Sequence, residues 1–339
     1  MASRRKLSVE QERGGYYHTF TIPIEWWSGT DTLQTETLRA RRRKWLRDYA
    51  KAEWKTMKKE GRAWMVERFV ALIVVSYPIP GDVFPARAAE TVKPIIDGGS
   101  DAKLWPDDDS AHRCSTVYIQ SAETAPSEYY RLQVIIIPVS DKNPRYQIAG
   151  GLSKEIIKEW AQQANKPLWS DGYMVSFTVT DKHWITSNYT DSDLVARQRG
   201  AKRAATWGMG RSFGIRERVG KALEDTALTQ WKMQPYCGYE KFIVIACVAY
   251  PYGVDRADPD NAAETVNCIL KSGIRAGAWH DLTSKHCKGV AFIRLPNLRM
   301  GGRHVVKLMV MPVPDSFQIA AAIPQSASDA WAEHDRRLL

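Results

Sequence analysis

The sequence predicts a mixed α/β fold in which one β-α-β-α-β-β unit occurs twice. Two observations carry this. Arg68-Phe-Val-Ala-Leu-Ile-Val-Val-Ser-Tyr77-Pro78 returns as Lys241-Phe-Ile-Val-Ile-Ala-Cys-Val-Ala-Tyr250-Pro251, and Ala88-Ala-Glu-Thr-Val92 returns as Ala262-Ala-Glu-Thr-Val266. The offset also holds: it is 173 for Tyr77 and Tyr250, and 174 for Glu90 and Glu264, Trp105 and Trp279, His112 and His286, and Pro138 and Pro312. Chance does not keep one offset over such a length, so each half is expected to carry the same unit. The chain of 339 residues divides into a first repeat at 1–140, a linker with one helix at 141–172, a second repeat at 173–313 and a tail at 314–339. Each repeat is long enough to bury a core of its own.

Each repeat opens on a short alternating strand, Tyr17 to Ile24 and Met174 to Thr180, followed by a tryptophan-bearing turn at Trp26-Trp27 and at His183-Trp184. Residues 31–62 contain no proline and one glycine, Gly61, at their end; one long helix with its cap at Thr30-Asp31 is expected there. Its counterpart, Asp191 to Asp225, is interrupted by Gly200, Gly208, Gly210 and Gly214, so a broken helix is expected. The dense apolar runs Phe69–Tyr77 and Phe242–Tyr250 read as strands buried on both faces. Short helices follow at Ala88–Ile96 and Ala262–Leu270, and two further strands close each unit, at Ser115–Gln120 with Tyr130–Pro138, and at Gly289–Leu295 with Val305–Met311. The linker reads as one helix, Ser153 to Asn165.

A formal charge of +10 gives the surface a positive field, whose commonest targets are nucleic acid or anionic membrane. Membrane is the weaker target, because the longest apolar runs, such as Phe69 to Val75, fall far short of the roughly 20 residues a spanning helix needs. The first residues, Met-Ala-Ser-Arg-Arg-Lys, do not read as a signal peptide. Five cysteines without close pairs fit reduced thiols in a cytoplasm better than disulfides or zinc.

The most specific local pattern is Asp258-Pro-Asp260-Asn261 directly before a helix, with Trp279-His280-Asp281 after it. Clustered carboxylates repel one another unless a cation sits between them, and oxygen donors of this kind suit Mg²⁺ or Mn²⁺. In phosphodiester cleavage such an ion orients water and neutralises the leaving oxygen. Taken alone, Asp-Pro-Asp-Asn is also an ordinary turn and helix-cap sequence, and Asp107-Asp108-Asp109 an ordinary solvated turn. A histidine recurring at one position, His112 and His286, is read as a packed residue rather than a ligand.

These motifs resemble the RusA-like Holliday-junction resolvases, above all the phage and actinobacterial branch. Asp258-Pro-Asp260-Asn261 is similar to the family's aspartate turn. Leu104-Trp105-Pro-Asp107-Asp108-Asp109-Ser110-Ala-His112 is similar to its acidic run, and Trp184-Ile-Thr-Ser-Asn188 to its asparagine-bearing turn. The resemblance implies a small α/β domain that dimerises, binds four-way DNA junctions and cuts them with Mg²⁺ held by aspartates. A fused pair would be an intramolecular pseudo-dimer. The repeats depart from the pattern in complementary ways. Phe84-Pro85-Ala86-Arg87 stands in the first where the second has the aspartate turn; Trp279-His280-Asp281-Leu282-Thr283 stands in the second where the first has the acidic run; and the helix lysine kept as Lys93 is Asn267 in the second. One site at most is expected. By this resemblance Asp258, Asp260, Asp281, Asp107 and Asp108 are the candidate metal ligands and catalytic acids, with Lys93 on the scissile phosphate.

The basic segment supplies the DNA-binding candidates Arg41, Arg42, Arg43, Lys44, Arg47, Lys51 and Lys55, and the second repeat adds Arg197, Arg199, Lys202, Arg203 and, from its turn, Asn188. Trp45, Trp54 and Trp64 are interleaved with the first set and could stack on unpaired bases, although their spacing makes at least one of them core. Two functions compete. One is a Mg²⁺-dependent, structure-selective endonuclease acting on branched or duplex DNA, phage or prophage encoded and working in the bacterial cytoplasm. The other is a catalytically inactive pseudo-nuclease that binds DNA or a protein partner.

Overall fold

The computed structural model describes residues 15–30, 34–81, 83–121, 123–139, 172–186, 188–199, 214–251, 253–254, 257–295, 297 and 302–314. The predicted helix at 153–165 and nearly all of the tail lie outside them. The first half runs β1 (Tyr16–Pro23), α1 (Glu36–Lys59), β2 (Phe69–Ser76), α2 (Ala89–Asp101), β3 (Arg113–Gln120) and β4 (Tyr129–Pro138). The second runs β5 (Tyr173–Thr180), α3 (Asp191–Arg199), α4 (Ile215–Lys232), β6 (Phe242–Ala249), α5 (Ala263–Ala276), β7 (Cys287–Arg294) and β8 (Arg303–Pro312). The fold is mixed α/β, as the alternation of patterns predicts. Among the described residues no helix is long and apolar enough to cross a membrane.

All eight strands join in one sheet of order β1-β4-β2-β3-β7-β6-β8-β5, which reads the same from either end once each strand is matched to its counterpart. The halves meet where β3 pairs antiparallel with β7. There Val117 faces Ala291, Thr116 faces Phe292 and Tyr118 faces Val290. Val117 and Ala291 are themselves 174 positions apart, so a pseudo-two-fold axis passes between them, and each neighbouring pair is the other exchanged, the mark of an isologous contact. One apolar cluster runs from Phe20, Trp54 and Ile73 to Phe177, Trp231 and Phe292, so the halves share a core instead of holding one each. The physical reason is the unbroken sheet: its helix-covered face is continuous across β3 and β7.

Helix α1 begins later than the sequence suggests, because Thr35 caps it by accepting from Leu38 N at 3.3 Å. It stops at Gly61, whose φ of 73° is the left-handed conformation favoured just past a helix end. Leu46, Ala50, Trp54 and Met57 recur at helical spacing and are buried. Trp54 donates its indole N–H to Ile95 O at 3.1 Å, and Trp231 on α4 does the same to Ile269 O at 3.0 Å. Each long helix is thus pinned to the short helix beside it. Trp54 and Trp64 are core residues and Trp45 stacks on Trp26 at 4.7 Å, so base stacking by Trp54 and Trp64 is ruled out by burial.

Helices α2 and α5 run past the predicted ends at Ile96 and Leu270. Glycines within their last turns are places of close contact. A Cβ on Gly99 would stand 1.9 Å from the Trp105 ring, and one on Gly273 2.4 Å from that of Trp279. Of the glycines expected to break the second basic segment, Gly214 (φ 73°) precedes the start of α4, and Gly200, Gly208 and Gly210 lie outside the described residues.

Candidate functional site

The turn Pro259–Ala262 leads into α5 and packs against β3 of the other half. Asp258 stands in the cap position but its side chain makes no cap hydrogen bond. It is drawn instead to Lys93 on α2, whose Nζ donates to Asp258 Oδ2 and to Asn261 Oδ1. Asn188 Nδ2 donates to the same Asn261 oxygen at 3.2 Å. The turn sequence therefore serves an interaction between the halves.

At the centre lies Arg113, the first residue of β3, with no exposed side-chain surface. Its Nη2 is 3.1 Å from Asp260 Oδ1, 3.5 Å from Asp108 Oδ2 and 3.9 Å from Asp258 Oδ2. The guanidinium is fixed by Nε donating to Asp108 O at 3.0 Å and Nη1 donating to Thr116 Oγ1 at 3.1 Å and Asp260 Oδ2 at 3.2 Å. Tyr118 donates its hydroxyl to Asp260 Oδ2 at 2.6 Å. The first half thus contributes Lys93, Asp97, Asp108, Arg113 and Tyr118, and the second Asn188, Asp258, Asp260 and Asn261.

Acids outnumber cations here, and the ionisation follows. Burial and then the charge of Asp108, which also hydrogen-bonds to it, raise Asp97 to about 7. Burial raises Asp258 as well, against the pull of Lys93 and Arg113. Burial works against the charge on Arg113, but Asp260, Asp258 and Asp108 hold it firmly protonated.

The donor set does not suit a resident Mg²⁺ or Mn²⁺. The space that ion would need between the carboxylates is filled by the Arg113 nitrogen: Asp260 Oδ2 accepts from Arg113 and Tyr118, while Asp260 Oδ1 accepts no hydrogen bond and has Arg113 Nη2 at 3.1 Å as its ion-pair contact. Among the described residues the one group of three His, Cys, Asp or Glu donor atoms within 4.8 Å of one another lies elsewhere, at His280, Asp281 and His286.

Of the predicted acids, Asp258, Asp260 and Asp108 come together, with Lys93 beside them. Asp107 and Asp281 do not join them. Asp107 is exposed and accepts from Asp108 N at 2.8 Å, while Asp109 closes the same turn by accepting from Ala111 N at 2.8 Å. Asp108 and Asp109 are both buried, and Asp108 is the one of the run that reaches Arg113. Asp281 occupies the second half's equivalent of Asp107, and its neighbours are His286 and His280. Around the pseudo-axis the twin position carries Phe84, Ala86, Leu282, Cys287 and Phe292 where the polar site has Asp258, Asp260, Asp108, Arg113 and Tyr118. The turn Pro85–Ala88 packs there against β7, closed by Ser284 N donating to Val83 O at 3.1 Å.

Much of the predicted basic face is already engaged by neighbouring groups of the chain. Arg42 donates to Glu25 O at 2.8 Å and Gln34 Oε1 at 3.0 Å; Arg43 reaches Glu90 at 2.8 Å; Arg47 holds both oxygens of Asp101 at 2.9 Å, with Lys51 at 3.8 Å. The acids that take Arg43, Arg47 and Lys51 stand on the neighbouring α2, so counting charges along α1 alone overstates the free surface. Arg41, Lys44 and Lys55 are exposed, Arg41 lying over the Trp26 ring at 5.4 Å. Arg197 lies over Tyr189 at 4.1 Å and 3.8 Å from Asp181. Arg199 ends α3, and Lys202 and Arg203 lie outside the described residues.

A groove between α1 and α3 is lined by Gln34, Arg39, Arg43, Asn188, Tyr189 and Arg216. Asn188 belongs both to this groove and to the acidic cluster. At its floor Glu90 and Glu264, equivalent in the two halves, hydrogen-bond to one another and are fully buried. Burial raises Glu264, with Arg216 pulling against it; for Glu90 the same burial is outweighed by Arg43 and Arg39, which hold it below the usual range. The chain matches no family model and no curated protein.

Proposed function

We propose that the chain is a fused pair of RusA-like units that binds branched or duplex DNA at one composite site, with Arg113 in place of Mg²⁺ or Mn²⁺ among the acids. The observation that carries this is the buried guanidinium within 3.9 Å of three carboxylates contributed by both halves. A cation supplied by the chain holds such a cluster together without metal. It gives no activated water and no exchangeable ligand position, so the site binds without cutting. The groove carrying Arg39, Arg43 and Arg216, with Glu36 and Asp191 at its sides, reaches Asn188, whose side chain bonds to Asn261 of the cluster; its arginines are the donors that a phosphate backbone would meet there. Exposed Arg41, Lys44 and Lys55 extend that positive surface. A cytoplasmic setting, in a phage or prophage context, agrees with five free thiols.

Cutting with Mg²⁺ at Asp258, Asp260 and Asp108 is the second reading. It is favoured by the excess of carboxylates, which adds to burial in raising Asp97 to about 7. Binding is tested by titrating a labelled four-way junction and a matched duplex in chelator and in Mg²⁺. Equal affinity in both, falling steeply with salt, is expected. Affinity that appears only with Mg²⁺ would overturn Arg113 as the resident cation, and no binding at low salt would overturn the DNA reading in favour of a protein partner.

A further inference from the structure

The loop between α5 and β7 brings together three donor atoms that the acidic cluster does not use. His280 Nδ1 and His286 Nε2 each lie 3.6 Å from Asp281 Oδ2. That is too long for a hydrogen bond and close to the separation of about 3.4 Å that tetrahedral ligands have at bond lengths of roughly 2.0–2.1 Å.

The surrounding bonds aim these atoms at one another. His286 Nδ1 donates to Glu240 O at 2.7 Å; a carbonyl only accepts, so the neutral ring carries its proton on Nδ1 and turns the Nε2 lone pair toward Asp281. Asp281 Oδ1 is held by Thr283 N at 2.8 Å and Thr283 Oγ1 at 2.7 Å, which leaves Oδ2 for the histidines. The two rings lie nearly parallel, 5.4 Å apart. A ligating histidine fixed through its other nitrogen, and a carboxylate fixed through its other oxygen, form the outer support that metal sites require.

The first half provides an internal contrast. There His112 Nδ1 makes the same bond, to Glu67 O at 3.0 Å, but Pro106 stands where the second half has His280, and Asp107 turns its Oδ1 to Asp108 N. The second half alone has acquired the third donor.

We propose that His280, Asp281 and His286 form a binding site for one divalent transition-metal ion, Zn²⁺, Ni²⁺ or Co²⁺. Two imidazoles and one carboxylate select such ions over Mg²⁺, which prefers an all-oxygen octahedron. His280 is 85% exposed, so the ion faces solvent and keeps at least one position for water or for a donor from a partner. Bound there, it ties the loop to the entry of β6 through the His286–Glu240 bond.

The test is calorimetric titration of the untagged full chain with Zn²⁺, Ni²⁺ and Mg²⁺, together with the visible spectrum of the Co²⁺ form. One Zn²⁺ or Ni²⁺ per chain is expected, and no Mg²⁺ at this site. His280→Ala, an exposed change that leaves the core intact, and Asp281→Asn should each weaken Zn²⁺ binding about tenfold or more and alter the Co²⁺ spectrum. His286→Ala should do the same if the variant folds. Absence of Zn²⁺ and Ni²⁺ binding, or binding and a Co²⁺ spectrum unchanged in His280→Ala and Asp281→Asn, overturns the proposal.

Discussion

Arg113 Nη2 on β3 lies 3.1 Å from Asp260 Oδ1, a residue of the opposite half. The pair is buried on both sides, so neither charge can be removed alone without stranding the other. Replacing Arg113 with Ala should destabilise the chain by about 3–5 kcal/mol, read from denaturant unfolding. With the guanidinium gone, the carboxylates face an open space, so Mg²⁺ should raise the melting temperature of the variant and leave that of the wild type unchanged. Equal response of the two proteins to Mg²⁺ would count against Arg113 as the resident cation.

Asp97 is raised to about 7 by burial and by Asp108. An acid raised on folding binds more protons in the folded than in the unfolded state between its unfolded pKa, near 4, and 7. Stability should therefore fall as pH rises through that window and level off above it. Asp97→Asn should be more stable than wild type at pH 8 and should lose this slope. An unchanged slope between pH 4 and 7 would assign it to other groups.

The glutamates at the pseudo-axis are predicted to differ in tolerance. Glu264 is raised by burial while Glu90 is lowered by Arg43, so the proton of the pair is expected on Glu264. Glu264→Gln keeps a donor and should change stability by about 1 kcal/mol or less. Glu90→Gln breaks a buried ion pair and should cost about 3–5 kcal/mol. Urea denaturation of both variants at pH 7 decides this, and equal costs would contradict the assignment of the proton.

Gly99 and Gly273 are the places where a tryptophan ring rests on helix backbone. Gly99→Ala and Gly273→Ala should each cost about 1–3 kcal/mol by overpacking, visible as a lower melting temperature, despite alanine's better helix propensity. Gly61→Ala meets no neighbouring atom within 4 Å, so its cost should come from its φ of 73° alone.

The strands and helices were legible because hydrophobic spacing is local: Phe69 to Ser76 and Phe242 to Ala249 read as buried strands and are. The meeting of Asp258 and Asp260 with Asp108 was legible as one of two options, since the repeats had lost complementary motifs. Arg113, Tyr118 and Asp97 were missed. A lone arginine at the start of a strand carries no motif, and its role depends on a partner 147 residues away. The repeat held the signal nonetheless: Arg113 faces Cys287 in the alignment of halves, Tyr118 faces Phe292 and Asp97 faces Lys271, three polar changes converging on one face. The basic helix misled in the opposite direction, because the acids that engage Arg43 and Arg47 lie on α2 and are invisible to a count along α1.

Nicking of a labelled four-way junction is the most direct test. The wild type should bind the junction and leave both strands intact in Mg²⁺ and in Mn²⁺, as it does in chelator. Metal-dependent cuts that disappear in Asp258→Asn/Asp260→Asn would contradict a site whose cation is Arg113 and would make it a nuclease.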